Sequence, residues 1–422
     1  MLRNLKQQTK CLFTSKKYSL AIFIVCILYT TTALPRLEIS DLFKNIIIFG
    51  SLPALFYNFS SYNKSIFWLA LTSILLQVIS WAHALVYVPE FAKSSPDLKP
   101  LSSLFLFVLI AIWIDGSNLR RITLFSSFIL SFVSTAFYDI YTNNSLSLAL
   151  SGHRIDYGMH NAQFTSMLSV VVCILTVYVL AKLPGERKGV KLSLYALGSS
   201  VIAFALFSLY ASQSRQVWLA VIVLLSLVPI VVVGTKHIRK LTIAYTLLAF
   251  VLFSVFQLES VRQRVLNEST VISTLIQGDL DNIPMTSVGI RVNSWLEASK
   301  WIAERPILGS DFNAISYVTR TAEKFQTEKL QGFGHLHNYY LEVWVAFGIV
   351  GLIFLAVFYR EITVNVVNHH GKEERYLLYS FLIFWFIISM FESYNHKFLG
   401  LYVHTIILAG LYSLKVRKSN YN

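Results

Sequence analysis

The chain has 422 residues, of which 55% are hydrophobic and only 14% charged, with a mean hydropathy of +0.58. A soluble chain of this length needs far more charge to cover its surface, so composition excludes that class and leaves a helical membrane protein. The net charge of +14 would point to nucleic acid in a soluble protein. Here most basic residues sit in short loops between apolar blocks, where they set topology and meet anionic membrane lipid, and no nucleic-acid partner is expected.

The N-terminus is basic and then apolar, and Ala33-Leu34-Pro35 offers no convincing cleavage site, so the first block is expected to be a retained span. Apolar blocks run at 18–34, 42–58, 65–87, 98–115, 122–138, 162–181, 192–211, 216–234, 241–257, 338–358, 377–393 and 399–414. Each is long enough to cross or nearly cross a bilayer. The expected fold class is all-α, a polytopic membrane protein of about twelve transmembrane helices. Cys11 precedes the first block, and Cys26 and Cys173 lie inside apolar blocks, so no loop disulfide is available.

Charge sets the orientation. With the N-terminus in the cytoplasm, the inner loops hold Lys64, Arg120, Arg121, Lys182, Arg187, Lys188, Lys191, Lys236, Arg239, Lys240, Arg360, Lys372 and Arg375, among others. The short outer segments hold only Arg36, Lys44, Lys93, Lys99, Arg154, Arg215 and Lys397. That bias is what the positive-inside rule expects of a multi-pass protein with both termini cytoplasmic. Three regions follow: spans over 1–257, a large outer loop over 258–337, and further spans with a cytoplasmic tail over 338–422. Within the loop, Trp295, Ala298, Ser299, Ile302 and Ala303 fall on three-four spacing, which predicts a surface cap of amphipathic helices.

Few ionisable residues fall deep in any block, which argues against a proton-coupled transporter. Instead His153, Arg154, His160, Arg215, Arg291, His335, His337, Glu392 and His396 gather at the outer face. Arg215 stands at the start of a span, in Ser212-Gln213-Ser214-Arg215-Gln216-Val217-Trp218, either as an interfacial anchor or as a clamp on a phosphate at headgroup depth. Arg291 opens the patterned helix, where Gly289 would let backbone approach a ligand and a helix N-terminus attracts anions; an ordinary solvated arginine is the alternative. His337 stands where the loop re-enters the membrane, and a histidine can take a proton from a sugar hydroxyl near neutral pH. His335 and His337 also read as metal ligands, but no Cys or carboxylate at ligand spacing supports that. Asp279 and Asp281 form an Asp-x-Asp that is either a cation site or a solvated turn beside Gly278 and Asn282.

Taken together, the sequence resembles the bacterial O-antigen ligases, a family related to O-antigen polymerases and O-linked oligosaccharyltransferases. The resemblance rests on Gly289-Ile290-Arg291-Val292-Asn293-Ser294-Trp295, on Pro306-Ile307-Leu308-Gly309, on His337-Asn338-Tyr339-Tyr340-Leu341-Glu342, and on Arg215 before a span. At the turn, Gly309-Ser310-Asp311 departs from the family's commoner Gly-x-Gly.

The resemblance implies a GT-C-like helical bundle in the bacterial inner membrane with its site facing the periplasm. It implies an undecaprenyl pyrophosphate-linked O-antigen donor and a lipid A-core acceptor. By resemblance, Arg215 and Arg291 meet the pyrophosphate, His337 is the general base, and Arg154 and Asn338 are further substrate contacts; no metal or other cofactor is expected. The other readings are an O-antigen polymerase, a protein O-oligosaccharyltransferase and a lipid-linked oligosaccharide flippase.

Overall fold

A computed structural model describes residues 11–183, 188–233, 237–257, 262–263, 266, 269–330, 332 and 334–415. Arg187 and Lys236, used above for orientation, lie outside the described residues, as do parts of the 258–337 stretch. The fold is all-α. The bundle helices are α1 (Lys16–Ala33), α2 (Ile39–Asn58), α3 (Lys64–Tyr87), α4 (Leu106–Ile114), α5 (Asn118–Asn143), α6 (Ala162–Ala181), α7 (Lys188–Ser212), α8 (Arg215–Val233) and α9 (Ile238–Phe256). The loop contributes α10 (Ser269–Ile276), α11 (Ser287–Glu304) and short helical turns over Ile315–Arg320 and Glu323–Thr327; α12 (Tyr339–His369), α13 (Lys372–Ile388) and α14 (Phe398–Leu411) complete the bundle.

Every apolar block is a helix. Among the described residues, six helices are long and apolar enough to cross a membrane: Ile39–Ser61, Lys64–Tyr87, Asn118–Asn143, Ala162–Ala181, Lys188–Ser212 and Tyr339–His369. Lys99–Ile114, Arg215–Val231 and Phe398–Leu411 are shorter apolar helices. Of the about twelve transmembrane helices expected, six reach span length among the described residues. At 1.5 Å rise per residue, the 14 residues of α14 fall short of a hydrocarbon core about 30 Å thick.

Hydrophobicity all round a helix puts it at the centre, and α6 and α14 are apolar on every face and buried along most of their length. α14 packs on α4 and α5, and α6 packs on α5, α7 and α13. The peripheral helices point Phe49, Phe56, Trp68, Leu192 and Phe250 outward, as lipid-facing surface requires.

Two features go beyond the sequence reading. The first is a charged cluster inside the bundle, at the end away from the loop. Arg121, only 1% exposed, donates to Glu374 Oε1 at 3.2 Å, to Asn118 Oδ1 at 2.7 Å and to the Gly410 carbonyl at 2.6 Å. Lys182 Nζ (2.8 Å) and the Tyr178 hydroxyl (2.8 Å) meet the same Glu374 oxygen. Arg121, Lys182 and Glu374 lie just outside the apolar blocks, where they are paired and tied to four helices.

The second is a break in α12. Gly348 sits at φ 65° and ψ −166°, a conformation open chiefly to glycine. Into that break docks the turn Pro306–Gly309: Ile349 N donates to the Pro306 carbonyl at 2.8 Å, and Ser310 N and Asp311 N donate to the Val345 and Ala346 carbonyls at 2.8 and 3.0 Å. A Cβ on Gly348 would overlap the Ile307 carbonyl, and one on Gly309 would overlap that of Ala346. The loop is thus keyed into a membrane helix, with the unwound backbone satisfied by protein as it must be at that depth.

The loop is helical as expected, but its buried stripe is displaced. Gly289, Asn293, Ser294, Ala298 and Ile302 face inward on α11, while Ser299 and Ala303 are exposed. The buried i, i+4 row begins at Ser294, and Trp295 beside it is half-buried, its Nε1 donating to the Leu336 carbonyl at 2.9 Å.

Candidate active site

The loop end of the bundle is assembled by short-range caps and long-range stitches. Asn338 caps α12, its side chain accepting from Tyr340 N and Leu341 N at 3.1 Å each. Thr286 caps α11 through Gly289 N. The segment carrying Arg154 is laced to the turn between α7 and α8: Ile155 N donates to the Ala211 carbonyl at 3.2 Å, Arg154 Nε to the Ser212 carbonyl at 3.1 Å, and Gln213 Nε2 to the Gly152 carbonyl at 3.0 Å. Gln213 takes φ 50° to make that turn.

These stitches bring Arg154, Arg215 and Arg291 to one cavity of about 370 Å³, whose wall also includes Gln163, Gln213, Ser214, Gln216, Trp295 and Phe391. Three guanidinium groups around one void make a positive pocket suited to a multiply charged anion. Gly289 has a different role from the one expected. Its missing Cβ makes room for the Pro284 carbonyl within the loop rather than for a ligand.

His337 does not line this cavity but is joined to it. Its Nδ1 lies 3.1 Å from Glu392 Oε2. With the Gln163 amide nitrogen facing Glu392 Oε2 (2.8 Å), its oxygen accepts from Arg291 Nη2 (3.2 Å). A continuous chain therefore runs His337–Glu392–Gln163–Arg291. His337 is 14% exposed and adopts φ 52°, a strained conformation for a non-glycine residue that clusters at functional positions.

α13 ends at Ile388, so Glu392 lies in the turn beyond it and not in the block expected to reach 393. Burial would raise its carboxyl, but the hydrogen bond and charge of His337, with His335 adding, outweigh burial and hold it below the usual carboxylate range. His335, its ring centroid 3.9 Å from that of His337, is pushed below the ordinary histidine value by burial first and by His337 second.

Other singled-out residues fall elsewhere. Asn338 lines a separate apolar groove of about 880 Å³ between α8, α12 and α13, with Tyr340, Trp344, Tyr359 and Phe386. Its amide oxygen is committed to the cap. His153 and His160 are exposed. The Asp279 carboxylate receives the Asn282 amide at 3.0 and 2.9 Å in an exposed turn, the solvated-turn alternative. A carboxylate does join the histidines, contrary to the spacing argument: His335, His337 and Glu392 place one ligand atom each within 4.8 Å of one another. That is a three-donor set of the kind a divalent cation takes. Glu392 and Gln163 were missed as partners because nothing local marks them; the only signal was the presence of Glu392 in the outer-face cluster.

Residues 198–356 match the family model described as O-antigen ligase. Over that stretch, the chain is similar to the O-antigen ligases. No curated protein matches the chain. The O-antigen ligase match contains Arg215, Arg291, His337 and Glu342, and it ends before Glu392 and begins after Arg154 and Gln163. The match supports a function of the O-antigen ligase or polymerase type in general, and the apolar helices fit a multi-pass membrane bundle. The parts of the site outside the match come from the fold.

Proposed function

We propose that the protein is a metal-independent, inverting O-antigen ligase. It moves a polysaccharide from undecaprenyl pyrophosphate to a sugar hydroxyl of the lipid A core, at the periplasmic face of the bacterial inner membrane and within a GT-C-like bundle. The observation that carries this reading is the shared cavity of Arg154, Arg215 and Arg291, linked by hydrogen bonds to His337.

In the reaction, the acceptor hydroxyl oxygen forms a bond to the anomeric carbon while the bond from that carbon to the phosphate oxygen breaks. The electron pair leaves with the pyrophosphate. Charge thus grows on the diphosphate, and fixed guanidinium groups stabilise it more in the transition state than in the ground state. The hydroxyl proton goes to His337 Nε2, with Nδ1–H directed at Glu392. Displacement from the far side inverts the anomeric centre. Arg154 is exposed, and in this scheme it is the outermost contact to the donor.

The lipopolysaccharide banding pattern of a deletion strain tests the reading. Loss of a ligase leaves bare core, and complementation with the wild-type gene restores the ladder. A core bearing a single repeat unit would make the protein a polymerase instead, and unchanged lipopolysaccharide with unglycosylated periplasmic proteins would make it a protein oligosaccharyltransferase. Activity abolished by EDTA and restored by a divalent cation would overturn metal independence and point to the set His335, His337 and Glu392.

A further inference from the structure

Two His–Glu pairs cross between the same two segments, with their partners exchanged. Segment 335–342 gives His337 to Glu392 of segment 391–397, at 3.1 Å. It also gives Glu342, which meets His396 Nδ1 through Oε2 at 2.8 Å. The first pair faces the arginine cavity through Gln163. The second is deeper, with Glu342 and His396 side chains only 2% and 7% exposed.

The inner pair does not end at itself. Glu342 Oε1 accepts the Leu336 N–H at 2.8 Å, and the Leu336 carbonyl accepts from Trp295 Nε1 at 2.9 Å. Leu336 is fully buried, so the backbone immediately before His337 is gripped on both sides, by the last residue of one motif and the last residue of another. The His396 ring is itself wedged edge-on between Tyr339 and Phe312, with centroids 4.9 and 4.8 Å away. A left-handed φ at His337 is strained and persists only where the surroundings over-determine it. This grip over-determines it.

We propose that Glu342 is a positioning residue for His337, and that His396 holds Glu342 in place for that task. The carboxylate fixes the Leu336 peptide in the one orientation that presents the His337 ring to Glu392. Neither residue touches the donor. This rests on the reading of His337 as the base.

The test uses the full-length protein in proteoliposomes, with a synthetic undecaprenyl pyrophosphate oligosaccharide as donor and bare-core lipopolysaccharide as acceptor. Glu342→Ala should lower kcat about 100-fold, the order expected when a reacting group is misplaced by about 1 Å. Donor KM should stay within about twofold, because the arginine cavity is untouched. Glu342→Gln, whose amide oxygen can still accept from Leu336, should recover most of the rate, and His396→Ala should fall between. A wild-type kcat in Glu342→Ala, a raised KM with unchanged kcat, or a Gln variant as impaired as the Ala variant would each overturn the proposal. If Glu342→Ala does not fold, His396→Ala with an unchanged melting temperature decides: full kcat there overturns it. His337→Ala run in parallel separates the two readings. If it is active, the base assignment fails; if it is inactive while Glu342→Ala is active, only the positioning role fails.

Discussion

At the scale of residues, the site is a contest between charge repulsion and fixed geometry. Three arginines share one cavity, an arrangement suited to a multiply charged anion. A guanidinium offers a planar fork to phosphate oxygens and an ammonium does not. Arg215→Lys and Arg291→Lys should therefore each lower kcat/KM for the donor by roughly ten- to a hundredfold in the purified transfer assay. Rates near wild type would reduce them to interfacial anchors. Glu392 adds a pH signature. Its folded value is held below the ordinary carboxylate value, so its contribution to stability is present in full above the ordinary value and lost as pH falls through the lowered one. Thermal unfolding should show the wild type losing stability through that acid range, with Glu392→Gln already less stable at neutral pH and flatter on the acid side. Arg215, Arg291 and His337 stood out in the sequence because each sits in a short motif, Arg215 and His337 at a span boundary and Arg291 at the opening of the loop helix. Glu392 was not, because it reaches His337 across 55 residues of chain, and Gln163 had no motif at all.

At the scale of elements, the loop is held by α12 more than by its own packing. The Pro306–Gly309 turn was visible in the sequence as a turn; its partner, the break at Gly348, was not, since Gly348 sits in an unbroken apolar block and only the docked carbonyls give it a reason. Gly348→Ala combines a left-handed φ with overlap against the Ile307 carbonyl. It should destabilise the protein by about 2 kcal/mol or more, read as a lowered melting temperature together with proteolytic nicking of the loop. At the other end, Arg121→Leu would leave buried Glu374 with only Lys182 and the Tyr178 hydroxyl of the partners described above. Removing one partner of a buried ion pair costs about 3–5 kcal/mol, enough to abolish stable expression. The same hydropathy that marked the helices hid this cluster, because Arg121 stands at a block edge where it reads as a topology signal.

At the scale of the molecule, hydropathy was enough to place the twelve apolar blocks on helices, but not to say which are of span length, because that depends on where each helix ends in three dimensions. Side of membrane is a proposal that rests on charge bias, and it is open to direct test. In a background with Cys11, Cys26 and Cys173 replaced by Ser, Ser287→Cys at the arginine cavity should react with a membrane-impermeant maleimide from the periplasm, and Ser413→Cys at the far end should not. The reverse pattern would put the cavity in the cytoplasm. The central claim is that an imidazole and three guanidinium groups suffice for glycan transfer. Its most direct measure is the initial rate of transfer by purified wild-type and His337→Ala protein in EDTA, using lipid pyrophosphate donor and core acceptor. Full wild-type activity with a loss of about a hundred- to ten-thousandfold in the variant is the expected result, and a variant that transfers at the wild-type rate would contradict it.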